Sequence, residues 1–520
     1  MTEASSKKVA LLSNFTIKGL DNQLRTSAKQ YGIDIDVYTG EYGQWQQEIL
    51  GNRLYEFNPD IIFVIVDFDG LEDQIEMINQ LALKISAKIV VCGYGAKRKL
   101  DEHFRDNVQI IVFDFEGWLE QVGKNDNWNT KYRELGDLRL HPNAFAPLAR
   151  ELAAYLIPLA GKTKKCLVLD LDNTLWGGII GEDGLGGIKL SPTGEGAPYY
   201  EFQKLIKGLK ERGIILAIAS SNNEPDVKEV FAKHKHMVLK EDDFAARRVN
   251  WNNKAENMRQ LAAELNIGLD AMVFIDDDPR NRELIREAIP EVEALEMPVN
   301  PAEYLRTLLD YKGFTSLGIT DEDIKRTGMY ADEKKRRQFK EQVIDLDLFL
   351  RGLGLSITIQ PVSGAHLPRA AQLTQKTNQF NLTTRRYQEA EIKNMMAKGE
   401  KVWILDVKDK FGEYGLTGLI IVRNHEFWEI DTFLMSCRVL GKRIEEEFFG
   451  QALNQLKKQD PKTIIGQYLP TAKNEQVKDF YRRFGFTKRE SGREGIWERD
   501  LSDFTFQPLD FINTDIQQYE

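Results

Sequence analysis

Cys166-Leu167-Val168-Leu169-Asp170-Leu171-Asp172-Asn173-Thr174 is the stretch that decides how this 520-residue chain is read. Four apolar residues make a strand buried on both faces, and two carboxylates and a hydroxyl follow at its end. At i and i+2 on an extended segment, Asp170 and Asp172 point the same way, so one can attack phosphorus while the other moves a proton. Short acidic strings also arise as ordinary turn caps. The weight of this one comes from the residues downstream.

A second strand-like run, 214–219, ends in Ser220-Ser221-Asn222-Asn223, where a hydroxyl and backbone N–H groups can hold a phosphoryl oxygen. Lys254, in Trp251-Asn252-Asn253-Lys254-Ala255, opens an amphipathic helix and is a cation able to neutralise a carboxylate and a phosphate together. A third run, Met272-Val273-Phe274-Ile275, ends in Asp276-Asp277-Asp278-Pro279. Adjacent acids repel unless a cation or hydrogen bonds compensate, and an all-oxygen set suits Mg²⁺, whereas no His/Cys cluster points to zinc. The order of acid strand, Ser strand, Lys and acid strand resembles the four motifs of the haloacid dehalogenase (HAD) phosphohydrolases, over roughly 160–300. The resemblance implies Asp170 as a nucleophile forming an aspartyl-phosphate and Asp172 as general acid/base. Thr174, Ser220, Asn222 and Lys254 would hold phosphate, and Mg²⁺ would sit among Asp170, Asp172 and either Asp277 or Asp276. The gaps between Trp176 and Ser220 and between Lys254 and Asp276 hold one helix each plus loops, with no room for a cap domain. An uncapped site admits a substrate carried on a macromolecule.

The length implies two to four domains. With 42% hydrophobic and 29% charged residues the composition is that of a chain with ordinary cores. No apolar run approaches a membrane span, and the polar start is not a secretory signal, so a cytoplasmic protein with no membrane partner is expected. The net charge of −10 argues against nucleic acid. The basic pairs and clusters Lys334-Lys335-Arg336-Arg337, Arg385-Arg386, Lys442-Arg443 and Arg482-Arg483 read as solvated faces, of interest only if a small acidic protein docks. Three cysteines without metal spacing fit a reducing compartment.

Residues 1–158 read as a separate doubly wound α/β unit, with strands near 9–12, 33–37, 61–66, 89–92 and 108–112. Ser13-Asn14-Phe15-Thr16 with His141-Pro142 resembles SGNH hydrolase topology. The Gly-Asp-Ser nucleophile block is missing, so docking or structural support is expected rather than esterase activity. Residues 159–300 form the uncapped HAD-like Rossmannoid core, and 301–352 read as a helical connector. Residues 353–520 read as a mixed α/β domain, with strands near 355–359, 401–407, 415–422 and 428–435. Its Arg438-Val439-Leu440-Gly441-Lys442-Arg443 stretch resembles the diphosphate loop of GNAT acyltransferases, departing from it at Arg443, where the family has a small residue. Asn474-Glu475-Gln476 and the aromatic run at 480–486 resemble that fold's closing motif.

Cys92 and Cys166 lie in buried-strand patterns, where Cys behaves as a small apolar residue. Cys437 sits where a strand opens into a loop, with Arg438, Lys442, Arg443 and a helix start to favour its thiolate. The whole domain order, with Met435-Ser436-Cys437-Arg438 and the stretch 373–383, resembles the FkbH-like family. That resemblance implies a glyceryl-carrier-protein synthase. It would take D-1,3-bisphosphoglycerate, form a thioester on Cys437, remove phosphate at Asp170 with Mg²⁺, and load the phosphopantetheine thiol of an acyl carrier protein. Arg438, Gly441, Lys442, Arg443 and Asn474 would line the pantetheine side. The alternative is a Mg²⁺-dependent phosphatase whose flanking domains only bind.

Overall fold

The computed structural model describes residues 6–68, 71–105, 107–128, 136–318, 332, 335–336, 339–340, 342–343, 345–424, 428–459, 462–489 and 495–519. Three α/β units follow one another, each around its own sheet. The first sheet is parallel, in the order β2 (Ile35–Thr39), β1 (Lys7–Ser13), β3 (Ile61–Asp67), β4 (Lys88–Tyr94), β5 (Ile110–Phe113). Helices cover both faces, so Ile61 through Val66 are wholly buried without alternation. In an open sheet of this kind the crevice lies where the strand order reverses, between the ends of β1 and β3. Here Asn14 spans it, donating to the Asp67 carbonyl (2.8 Å) and accepting from the Asp67 N–H (3.0 Å), and Arg139 pairs with Asp67. The Ser13 hydroxyl accepts from Phe15 N–H.

The second sheet is also parallel, in the order β10 (Glu293–Ala294), β9 (Met272–Ile275), β6 (Cys166–Leu169), β7 (Ile215–Ser220), β8 (Phe244–Val249). β6 is central, which puts Asp170 at the middle of the carboxyl edge. The unit does not stop at 300, because the helix Tyr304–Asp310 packs its Tyr304 and Leu308 into this core and the Tyr304 hydroxyl donates to the Asn173 carbonyl (3.2 Å). The segment expected as a helical connector thus begins inside the second core. Most of 319–344 lies outside the described residues.

The third sheet has eight strands, β16 (Thr487–Lys488), β17 (Ile496–Asp500), β15 (Thr463–Gln467), β14 (Trp428–Met435), β13 (Gly412–Asn424), β12 (Lys401–Asp409), β11 (Leu355–Pro361) and β18 (Ile512–Ile516). Strand β11, paired with β12 on one side and β18 on the other, alternates, with Leu355, Ile357 and Ile359 buried and Ser356 and Thr358 partly exposed. Two of the basic groups belong to the interior. Arg336 is buried, paired with Asp409 (2.7 Å) and stacked on Tyr414 (3.8 Å). Arg386 donates to the carbonyls of Thr374, Gln375 and Thr377. A guanidinium carries five donors, so an Arg can serve as an internal clamp on carbonyls as well as on a surface. Positions 334 and 337 lie outside the described residues.

The units touch one another. Lys88 pairs with Glu389 (3.3 Å), Lys165 donates to the Lys376 carbonyl (2.6 Å), and Lys473 pairs with Asp270. Among the described residues no helix is long and apolar enough to cross a membrane.

Candidate active site

In-register pairing builds the site. Leu169 lies opposite Ile275 on β9 and Ile218 on β7, so Asp170 and Asp276, one residue further on, and Ser220, the last residue of β7, come together at the carboxyl edge. The Asp170 N–H donates to the Ile275 carbonyl (2.9 Å), which fixes the two strand ends against each other. Lys254 arrives from the side. The Asn253 side chain caps the helix Lys254–Leu265 by accepting from Ala255 N–H, and this aims the first helical residue inward. Its ammonium, only 4% exposed, donates to Asp170 Oδ1 (2.6 Å) and to Asp276 Oδ2.

Carboxylate oxygens of Asp170, Asp276 and Asp277 lie within 4.8 Å of one another. Both Asp276 and Asp277, the two alternatives for the third acid, belong to this group. Asp276 is wholly buried, accepts from Asp278 N–H (2.9 Å) and from the Asn281 amide (3.1 Å), and is the one that Lys254 touches. Burial and then the neighbouring Asp276 push the Asp277 carboxyl up to about 6. Burial likewise holds Asp170 above the usual carboxylate range, against the opposing pull of Lys254. For Lys254, burial works against the charged form, but Asp170 and Asp276 outweigh it and keep the ammonium protonated. Three converging acids against one ammonium leave an excess of negative charge, and a hard divalent cation with oxygen ligands suits that donor set.

Asp172 departs from the expectation. The chain does not stay extended after Asp170: Thr174 and Leu175 N–H both return to the Leu171 carbonyl, and Asn173 takes a left-handed conformation (φ 53°). The Asp172 carboxylate is turned to Trp176 Nε1 (2.8 Å), Ile180 N–H (3.1 Å) and the Asn222 amide (3.0 Å), and is not one of the three that converge. Asn222 also donates to Ser220 Oγ (3.1 Å), and Ser220 is hydrogen-bonded to Asp170. Ser220 and Asn222 therefore link the two motif acids through one short chain. Thr174, wholly buried, accepts from Asp277 N–H (3.2 Å), so its hydroxyl holds the acid loop. Gly178, at φ 92°, donates its N–H to Asn173 Oδ1 and leaves room for Asp183, whose carboxylate a Cβ would meet at 2.5 Å.

The site is open. Between β6 and β7 the chain has the helices Ile180–Gly187 and Ala197–Glu211 and no inserted domain among the described residues. Trp251, three residues before Lys254, is 73% exposed, and its indole N–H donates to Asn223 Oδ1 (3.2 Å).

Cys437 lies elsewhere. It borders a cavity of about 640 Å³ where all three units meet, lined among others by Tyr31, Lys162, Lys165, Lys376, Arg438 and Lys473. Cys437 is half-buried, whereas burial pushes the Cys92 and Cys166 thiols far above their ordinary range. Its carbonyl accepts from the Asn266 amide of the second unit. Of the residues expected on the pantetheine side, Arg438 shares this cavity and donates to Ser436 Oγ (3.4 Å). Lys442 donates to the Arg438 carbonyl (3.2 Å), and Arg443 to Glu446 (2.9 Å). Gly441 takes φ 78° between them. Asn474 is wholly buried and donates to the carbonyls of Asn381 and Leu469 (2.9 Å each).

No protein-family model matches the chain, and no curated protein matches it in sequence. Among solved structures, the N-terminal part of the protein BF1531 from Bacteroides fragilis is similar at 28% identity and a TM-score of 0.55. It covers 60% of this chain and 95% of that one; it contains a phosphatase domain and was crystallised with Mg. The ribosomal-protein-S18-alanine N-acetyltransferase of Escherichia coli overlays 29% of this chain and 99% of its own, at 12% identity and a TM-score of 0.23. An N-acetyltransferase of Staphylococcus aureus Mu50 gives 13% identity over 28% of this chain and 99% of its own, with a TM-score of 0.22. Those two scores are too low to bear on the third unit. The chain is thus a multidomain α/β protein, similar over 60% of its length to a structure that contains a phosphatase domain, and its second unit gathers the acids and the lysine that phosphoryl transfer needs.

Proposed function

We propose that this protein is a Mg²⁺-dependent phosphatase coupled to an acyl transferase of FkbH type, converting D-1,3-bisphosphoglycerate into a glyceryl thioester on an acyl carrier protein. The observation that carries the phosphatase half is the Asp170–Lys254–Asp276 bridge at the carboxyl edge of β6, β7 and β9. Asp170 attacks the phosphorus of the ester phosphate, the P–O bond to the substrate breaks, and an aspartyl-phosphate forms. Lys254 and Ser220 hold the charged oxygens through that step. Asp172, once released from Trp176 and Asn222, gives the departing alkoxide its proton and then takes one from the water that hydrolyses the phosphoenzyme. Asp170, Asp276 and Asp277 are the residues that would hold Mg²⁺, which when bound would supply neutralisation of the phosphoryl charge.

The acyl half rests on Cys437 at the junction cavity. Its thiolate attacks the carbon-1 carbonyl of the acyl phosphate, the C–O bond to phosphate breaks and phosphate leaves; the thioester that remains is 3-phosphoglyceryl, and becomes glyceryl when the carbon-3 ester phosphate is removed at Asp170, before or after this step. The carrier's phosphopantetheine thiol then takes the glyceryl group by thioester exchange. A cavity with lysines from two units suits an anionic acyl group.

One observation favours the simpler alternative, a phosphatase with binding flanks: Cys437 and Asp170 open on opposite ends of β6. Intact-protein mass spectrometry with 1,3-bisphosphoglycerate, Mg²⁺ and a phosphopantetheinylated carrier separates the readings. A glyceryl mass on the enzyme and on the carrier supports the coupled enzyme, and phosphate release with neither adduct supports the phosphatase.

A further inference from the structure

β14 and β15 run parallel for only three residue pairs, Trp428 with Ile464, Glu429 with Ile465 and Ile430 with Gly466, and then diverge. Diverging strands leave facing rows of unpaired N–H and C=O groups, an opening shaped for an extended ligand bearing amides, such as the pantetheine arm of a coenzyme A thioester. In this chain the opening is filled from within. Leu382 N–H donates to the Phe433 carbonyl (3.1 Å) and Met435 N–H to the Phe380 carbonyl (2.9 Å), so the segment Phe380-Asn381-Leu382 lies antiparallel along β14. On the other side Leu469 N–H donates to the Leu382 carbonyl (2.9 Å), and the Asn474 amide donates to the Asn381 carbonyl. Asn381 and Leu382 are wholly buried, and Phe380 packs edge-on against Phe433 and Phe480.

A second feature points the same way. The helix Ile444–Lys457, which follows the basic loop, carries Glu445, Glu446 and Glu447 in its first turn. Acids there take the position, next to the positive helix end, that a diphosphate would need. Arg443 is engaged by Glu446, and Lys442 lies over the Tyr414 ring (5.1 Å).

We propose that Phe380-Asn381-Leu382 is a permanent occupant of the strand opening, so that the third unit excludes free coenzyme A and its thioesters and exchanges acyl groups only with a thiol presented at the junction cavity by a protein. The exclusion stands on this geometry alone; the protein-borne thiol rests on the coupled-enzyme reading above.

The test uses the full-length protein with coenzyme A and acetyl coenzyme A, by calorimetry and by hydrogen exchange of the peptides covering 378–384 and 466–472. The proposal expects no saturable binding at millimolar ligand and unchanged protection of both peptides. Saturable binding accompanied by loss of protection there overturns it. A parallel loading assay compares the phosphopantetheinylated carrier with free coenzyme A as acceptor of the glyceryl group. Loading of the carrier alone supports the proposal, and equal loading of coenzyme A overturns it. If neither is loaded, the coupled-enzyme reading fails, and the binding measurement alone decides the exclusion.

Discussion

Cys437 and Asp170 stand at opposite ends of the same strand: the cavity that Cys437 borders is lined by Lys165, which precedes β6, and Asp170 directly follows it. Five extended steps separate Lys165 from Asp170, about 16 Å at about 3.3 Å per residue. A three-carbon substrate cannot reach both, so phosphate removal and acyl transfer are separate events joined by movement of the acyl group. Cys437→Ala therefore abolishes glyceryl loading of the carrier while leaving phosphate release from a simple ester such as p-nitrophenyl phosphate within about twofold. Asp170→Asn does the reverse to the phosphatase assay. Loss of both activities in Cys437→Ala would mean a single shared site.

Lys254 is the sole cation bonded to the two buried acids among the described residues, Asp170 and Asp276. Replacing it by Met leaves two carboxylates buried without their counter-charge, a loss of about 3–5 kcal/mol for a broken buried pair. The phosphatase rate should fall by about 10²–10³-fold, the range for removing one preorganised charge from a developing oxyanion. Urea titration with and without Mg²⁺ checks the first part, with Mg²⁺ restoring more stability to the variant than to the wild type. Equal gains would mean that the cation does not enter between these acids.

Asp277 gives a prediction with a definite sign. Its carboxyl is raised from 3.8 to about 6, so the folded state holds its proton more tightly than the unfolded chain does. Stability is lost as pH rises through that window, and the penalty is fully present above it. Asp277→Asn keeps the acceptor towards Thr174 and removes the charge. Without added Mg²⁺ the variant should melt higher than the wild type at pH 7–8, with the difference shrinking towards zero near pH 4. The rise in melting temperature that Mg²⁺ gives the wild type should be largely absent. A variant that melts lower at pH 7 would place the ion-pair attraction of Lys254 above the repulsion from Asp276.

The site on the second sheet was legible because parallel strands in register repeat one local signal. An apolar run followed by an acid or a hydroxyl says where Asp170, Ser220 and Asp276 end up, and the helix start says the same for Lys254. Asp172 was not legible in detail, since its orientation depends on a turn at Leu171 and on Asn222 from the loop after β7. Arg336 and Arg386 looked like surface charge for a related reason: their partners, Asp409 and the carbonyls of 374–377, are set by tertiary packing. The filling of the β14–β15 opening by 380–382 is longer-range still. A stretch of Asn, Phe and Leu carries no periodicity that marks it as a strand substitute.

Asn474 tests that filling directly. Its amide holds the Asn381 and Leu469 carbonyls, and its Oδ1 accepts from Thr471 N–H (2.7 Å), all at a residue with no exposed surface. Asn474→Ala leaves these buried groups without that partner, at about 1–3 kcal/mol for each one left unsatisfied, so the third unit should lose several kcal/mol in urea titration. Asn474→Asp should be worse than isosteric size suggests, because it turns a carboxylate oxygen towards two carbonyls. Hydrogen exchange should speed up at Leu382 and Leu469 in both variants, while phosphate release at Asp170, in another unit, stays within about twofold. If exchange at those two amides is unchanged, the segment is held by its aromatic packing on Phe433 and Phe480 and not by Asn474.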